Sequence, residues 1–403
     1  MEASARLREV PPYPFIRWDR ACRAAAERGL DVIRLDIGDP DLDPPYAAID
    51  ALCIAAREPN AHRYPSGRGT QHLREAVCAY YLRRFNVELD PETQIVPLLG
   101  SKEGIVNLCL AHLDERDLAL IPDPGYAPYV RGTRLAGAES ALFPIVEERG
   151  FLPNLRAIPS EVADRASILW LNYPNNPTGA CADIEFLTEA VAFAREHNLL
   201  LCHDAPYADV AYDGYVPPSV LEVPGAFDVA VEFNSISKTF NMAGWRVGMA
   251  VGRSDALALL AQLKSNVDSG IPLPIQAAAA QALSTGPEWI ATRNGIYRER
   301  LSMLVDAIRC AGLDAQLPRA TFYLWIRLPS GMASEPSALR LLEATGVSVT
   351  PGTFFGPSGE GYLRISATTS TQTIAEAARR LGSTAKEWMP KDQSSAEIDF
   401  ERS

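Results

Sequence analysis

Short apolar runs that end in polar residues or glycine alternate along this chain with longer stretches carrying apolar residues at helical spacing. The runs at 94–99, 118–121, 168–171, 199–202, 229–233 and 246–251 are candidate strands. Stretches 73–84, 102–113 and 184–196 are candidate helices between them, and Asp183 is placed to cap the last. This alternation predicts an α/β fold with a mostly parallel sheet and crossover helices. Ligands gather at the carboxyl ends of such strands. Four polar motifs fall there: Leu99-Gly-Ser101-Lys102-Glu, Asn172-Tyr-Pro-Asn-Asn176-Pro-Thr-Gly179, His203-Asp204-Ala-Pro-Tyr207 and Ser235-Ile-Ser237-Lys238.

After about residue 285 the pattern changes to a long helix-like stretch, an apolar run at 321–328, a helix near 336–345 and a further run at 362–367. That order reads as a separate α+β domain. The expected division is an N-terminal segment 1–45 joining the small domain, a large domain 46–285, a small domain 286–385 and a polar tail 386–403 of disordered composition. With 403 residues, 47% of them apolar, the chain is long enough to bury cores for two domains.

No run approaches the roughly 18 apolar residues of a membrane span, and the charged start followed by Pro11-Pro12 lacks the apolar stretch of a secretion signal. A cytoplasmic protein is expected. The net charge of −12 argues against a nucleic-acid partner, which requires concentrated positive charge. Seven scattered cysteines and five isolated histidines offer no metal-ligand spacing, and the cysteines read as reduced small hydrophobes.

The densest chemistry lies in Ser235-Ile-Ser237-Lys238-Thr-Phe-Asn-Met-Ala-Gly-Trp-Arg246-Val-Gly248. An amine can form an imine with an aldehyde, while Ser235, Ser237 and Arg246 can hold a phosphate dianion by charge-assisted hydrogen bonds. Pyridoxal 5'-phosphate is the cofactor this describes. The chain has five lysines, Lys102, Lys238, Lys264, Lys386 and Lys391. The last two lie near or in the polar tail, Lys264 belongs to an amphipathic stretch and Lys102 begins a helix, which leaves Lys238 as the imine-forming amine. Asp204, after the apolar run 199–202, is the candidate carboxylate to keep the cofactor's pyridine nitrogen protonated.

These motifs together resemble the class I and II aminotransferase family of fold-type I pyridoxal-phosphate enzymes, from Gly38-Asp-Pro-Asp41 to Tyr362-Leu-Arg364-Ile-Ser. The resemblance implies that Asn176 and Tyr207 bond the ring's phenolic oxygen and that Tyr126 stacks on the ring face. It implies a phosphate cup of Ser101 and Lys102, through backbone amides at a helix start, completed by Ser235, Ser237 and Arg246. Tyr64 matches the tyrosine that reaches the phosphate of a neighbouring subunit, which implies a homodimer with shared active sites. Arg364 matches the arginine that clamps the substrate α-carboxylate, assisted by the backbone amide of Gly38. Phe15, Ile16 and Tyr323 are candidates for the side-chain pocket.

The implied reaction is transamination between an L-amino acid and a 2-oxo acid, with 2-oxoglutarate and glutamate as one pair. Ser237-Lys-Thr-Phe-Asn-Met-Ala-Gly-Trp-Arg246, Gly100-Ser-Lys-Glu-Gly104 and Ser265-Asn-Val-Asp-Ser-Gly270 resemble the subgroup of LL-diaminopimelate and alanine aminotransferases. One departure stands at Arg68, where diaminopimelate enzymes often carry a glutamate. Facing the pocket, Arg68 would repel a distal ammonium and favour a distal carboxylate; facing solvent, it says nothing. The competing reading is a carbon–sulfur lyase, cyclase or amino-acid oxidase on the same fold, because one cofactor serves many fates.

Overall fold

The computed structural model describes residues 2–383 and Trp388. Its strands are β1 (Ile33–Arg34), β2 (Ile95–Leu98), β3 (Leu118–Asp123), β4 (Glu139–Pro144), β5 (Ala166–Asn172), β6 (Leu200–Asp204), β7 (Ala230–Ser235), β8 (Gly248–Gly252), β9 (Tyr323–Arg327), β10 (Val347–Ser348), β11 (Thr350–Pro351) and β12 (Tyr362–Ser366). Seven of them form one sheet in the order β2-β8-β7-β6-β5-β3-β4. Only β8 runs against its neighbours, so the other six end on one edge.

Local sequence explains the elements that carry this sheet. Thr70 accepts from the Leu73 amide and starts the helix Gln71–Phe85, which Asn86 ends in a left-handed conformation. Asp183 accepts from the Phe186 amide at 2.8 Å and caps Ile184–Glu196, as the sequence predicts. The apolar run at 246–251 enters the sheet two residues late, because Arg246 has a φ of 57° that no ladder accommodates. The edge strand β4 escapes the sequence reading: only Phe143 of its six residues is buried, so it carries almost no apolar signal.

Apolar side chains cover both faces of this sheet. Leu169, Leu171 and Leu201 point to one core, and Ile168, Trp170 and Phe233 to the other, following the alternation of a strand. A third core gathers Trp18 and Cys22 of the helix Pro14–Glu27, Tyr297 and Leu301 of the helix Pro287–Cys310, and the antiparallel sheet β11-β12-β9. The short parallel pair β1–β10 ties residues 33–34 to 347–348 beside it. Of the expected tail 386–403, only Trp388 is described, and it is fully buried in this third core. The remainder of that tail lies outside the described residues. All seven cysteines are free thiols. No helix among the described residues is long and apolar enough to cross a membrane.

Candidate active site

The carboxyl edge of the seven-stranded sheet opens onto a cavity of about 380 Å³. Strand register decides what meets there. Asn172 of β5 pairs with Asp204 of β6, and Ser235 of β7 and Leu98 of β2 both pair with Gly248 of β8. The four polar motifs are thereby collected from different parts of the chain.

Asp204 is 2% exposed. The Tyr129 hydroxyl donates to its Oδ2 at 2.7 Å, while Oδ1 is buried without a partner. Burial pushes the carboxyl up to about 6, against the opposing pull of the Tyr129 hydrogen bond and of His203. Asn172 fixes the adjoining backbone, donating to the Asp204 carbonyl at 2.6 Å and accepting from the Asn176 amide at 2.9 Å.

Lys238 lies in the short helix Ile236–Thr239, which Ser235 caps by accepting from the Ser237 amide. Its Nζ donates to the Gly38 carbonyl at 2.6 Å. Burial lowers this amine to about 8, helped by Arg364 and Arg246 and opposed by Asp39. The backbone beneath it is pinned by buried Arg293, which donates to the carbonyls of Lys238, Thr239 and Asp209.

One end of the cavity is rich in anion donors. The helix Ser101–His112 begins there behind Gly100, whose own cap position supplies no side-chain acceptor. Ser101, Lys102, Ser235, Ser237 and Arg246 all line this part. Gly100 has a φ of 84°, and a Cβ there would lie 2.3 Å from an Arg246 guanidinium nitrogen, so only glycine lets the arginine close over the turn. The Lys102 amine sits 4.6 Å above the Tyr13 ring, and burial lowers its pKa, with Arg131 and Arg246 adding to the effect.

Arg364 of β12, 4% exposed, also lines the cavity. It donates to Asn176 Oδ1 at 2.8 Å and to the Asp36 carbonyl at 2.7 Å, while Nε has no partner. Its guanidinium lies 4.2 Å from the Tyr323 ring centre and 4.8 Å from that of Phe355. Tyr207 and Tyr323 share a hydroxyl contact of 3.1 Å. Burial raises the Tyr207 hydroxyl well above the usual range, and burial likewise raises Tyr126, which lines the cavity wall. A Cβ on Gly38 would fall 1.9 Å from the Tyr323 hydroxyl, which excludes any larger residue there.

Of the residues singled out in the sequence, Tyr64 and Arg68 are not brought to this cavity. Tyr64 is 91% exposed. Arg68 pairs with the Glu92 carboxylate at 3.3 Å and with its carbonyl, against a different surface hollow. Phe15 and Tyr323 line the cavity, whereas Ile16 is exposed and does not. Sequence reasoning missed Tyr13, Phe354, Phe355 and Tyr129. Tyr129 stacks on Trp170 at 4.7 Å and resembles any other core aromatic until its bond to Asp204 is seen.

The family model for aminotransferase class I and II matches residues 30–381. An LL-diaminopimelate aminotransferase of Moorella thermoacetica is 47% identical over 381 residues, covering 94% of this chain and 98% of that protein. Among solved structures, a probable N-succinyldiaminopimelate aminotransferase from Thermus thermophilus superposes with a TM-score of 0.87 at 40% identity, covering 92% of this chain and 99% of that one. A single mutant of Thermus thermophilus aspartate aminotransferase gives a TM-score of 0.89 at 28% identity, covering 95% and 100%.

Proposed function

Because the chain belongs to the aminotransferase class I and II family, we propose that it binds pyridoxal 5'-phosphate and moves the amino group of LL-diaminopimelate to 2-oxoglutarate. The fold is the α/β architecture of fold type I, and the protein is an aminotransferase. One observation carries the cofactor reading. A single cavity holds an amine lowered to about 8, a buried carboxylate with one free oxygen, and a cluster of anion donors.

Asp204 Oδ1 requires a donor, and a protonated pyridine nitrogen is one. Ser101, Lys102, Ser235, Ser237 and Arg246 would hold the phosphate at the opposite pole, where a helix start favours an anion. Asn176 and Tyr207 would hold the ring's phenolic oxygen, and Tyr126 its face. When bound, the cofactor supplies a conjugated electron sink for charge at the substrate α-carbon. Lys238 Nζ would hold the cofactor's aldehyde carbon, and the same amine, with a pKa near the working pH, would serve as the base for the α-proton. Arg364, with the Gly38 amide, grips the α-carboxylate and fixes the α-C–H direction.

The donor is argued from the relatives named LL-diaminopimelate aminotransferase, at 44% to 47% identity over nearly the whole chain. A homodimer is part of the reading. Tyr46 and Ile54 of the helix Tyr46–Ala55 are 73% and 62% exposed and Tyr64 is 91% exposed, large side chains that a second copy would cover. Such a copy would receive residues 64–69 at its own cavity. Free thiols throughout support a cytoplasmic setting.

The test is anaerobic incubation of the purified protein with LL-diaminopimelate, L-alanine or L-aspartate and 2-oxoglutarate. Glutamate formed fastest from LL-diaminopimelate is the expected result. Glutamate formed faster from alanine or aspartate overturns the donor, and no glutamate from any of the three, with pyruvate, ammonia and sulfide released from L-cysteine in the absence of any acceptor, overturns transfer itself.

A further inference from the structure

Lys264 is the one lysine among the described residues that is almost fully buried, at 1% exposure, although its helix Ser254–Val267 has an amphipathic sequence. Lysine is found at such burial only when paired. Its Nζ donates to Asp268 Oδ2 at 2.6 Å and lies 3.6 Å from Glu103 Oε1. Glu103 is the third residue of the helix that opens the anion end of the cavity, and its Oε2 accepts from the Leu99 amide at 3.1 Å. Asn107 donates to its other oxygen. Glu103 therefore fastens the turn from β2 into Gly100, Ser101 and Lys102.

A carboxylate in that first turn sits in the same dipole field and beside the same amide donors that a bound phosphate requires. Left alone, it would stabilise the empty turn and oppose a second anion. We propose that Lys264 is a positioning residue for phosphate binding: its charge, shared between Asp268 and Glu103, offsets part of the field of the carboxylate that shapes the turn, and so lessens its repulsion of the dianion. Burial raises the Glu103 carboxyl; Lys264 opposes that rise and Asp268 adds to it, so the ammonium is the main charge favouring the ionised form. Asp268 orients the ammonium from the other side and is itself fixed by the Gly270 amide at 2.6 Å.

This inference rests on the pyridoxal phosphate reading, and the comparison of two vitamers separates them. Apoprotein is titrated at pH 8 with pyridoxal phosphate and with pyridoxal, which lacks the phosphate, and affinities are read from the absorption of the bound forms. Lys264→Met is expected to weaken pyridoxal phosphate roughly tenfold, the order of one uncompensated charge a turn or two away within protein, and to leave pyridoxal unchanged. Adding Glu103→Gln to that variant should restore part of the loss, Asp268 remaining without its cation. Glu103→Gln alone, which keeps the acceptor for Leu99, should bind pyridoxal phosphate more tightly than the parent, and this variant decides the matter if Lys264→Met does not fold. Equal losses for both vitamers, or no loss for either, overturn the proposal in favour of simple packing. A parent protein that binds neither defeats the cofactor reading instead.

Discussion

The Tyr129 hydroxyl engages one oxygen of Asp204 and leaves the other buried and bare. The carboxylate is thus half satisfied by the protein, and its orientation is set before any ligand arrives. Burial raises its pKa from 3.8 to about 6, so the folded state holds the proton more firmly than the unfolded chain. This acid's contribution to stability is complete below pH 4 and is lost as pH rises through 6, a penalty on the order of 3 kcal/mol by linkage. In apoprotein at pH 8, Asp204→Asn should therefore raise the melting temperature while weakening cofactor binding at least tenfold. A lowered melting temperature would show that the ionised carboxylate is satisfied in the apoprotein.

Only the unprotonated Lys238 amine attacks an aldehyde. With its pKa lowered to about 8 by burial and its arginine neighbours, the rate at which apoprotein takes up pyridoxal phosphate should climb with pH through 8 and level off above 9. Stopped-flow absorbance from pH 6.5 to 9.5 reads this directly. Lys238→Ala should abolish both turnover and the absorption band of the imine between this amine and the cofactor. A flat profile would mean that the amine is not the group being titrated.

Arg364 already spends two guanidinium nitrogens on Asn176 and the Asp36 carbonyl, which fixes its plane against Tyr323 and Phe355. Lysine cannot reproduce that fork. Arg364→Lys should lower kcat/KM for α-amino acids by roughly 100-fold, the scale of a lost charge-assisted pair. Reaction with a simple amine lacking the α-carboxylate should be unaffected, and an equal fall there would point to general damage.

Arg68 is held by Glu92 at the surface of its own chain. In the proposed homodimer it would meet substrate only across a second subunit, and there Arg68→Glu should shift preference toward donors with a distal ammonium by several-fold. An unchanged ranking of donors and acceptors removes this residue from the specificity argument.

Much of the sheet could be read from the sequence because its inner strands are continuous apolar runs, and their polar endings marked the edge where Asn172, Asp204 and Lys238 gather. Residues whose meaning depends on packing could not be read so. Tyr129 carries no local mark that separates it from other aromatics. Lys264 follows an amphipathic pattern that suggests solvent, and only the two acids beside it explain its burial. The direction of Arg68 was undetermined because a loop has no period from which to infer a face. Trp388, in a segment polar on average, shows that one large apolar side chain outweighs the composition around it.

Trp18 and Trp388 share a single apolar core, although nearly the entire sequence separates them. During synthesis the seven-stranded sheet can form as soon as β8 has emerged, but this third core waits until the ribosome has released almost everything. Until then the helix Pro14–Glu27 remains an unsheltered amphipathic segment, the form in which a nascent chain is most open to chaperones and to premature association.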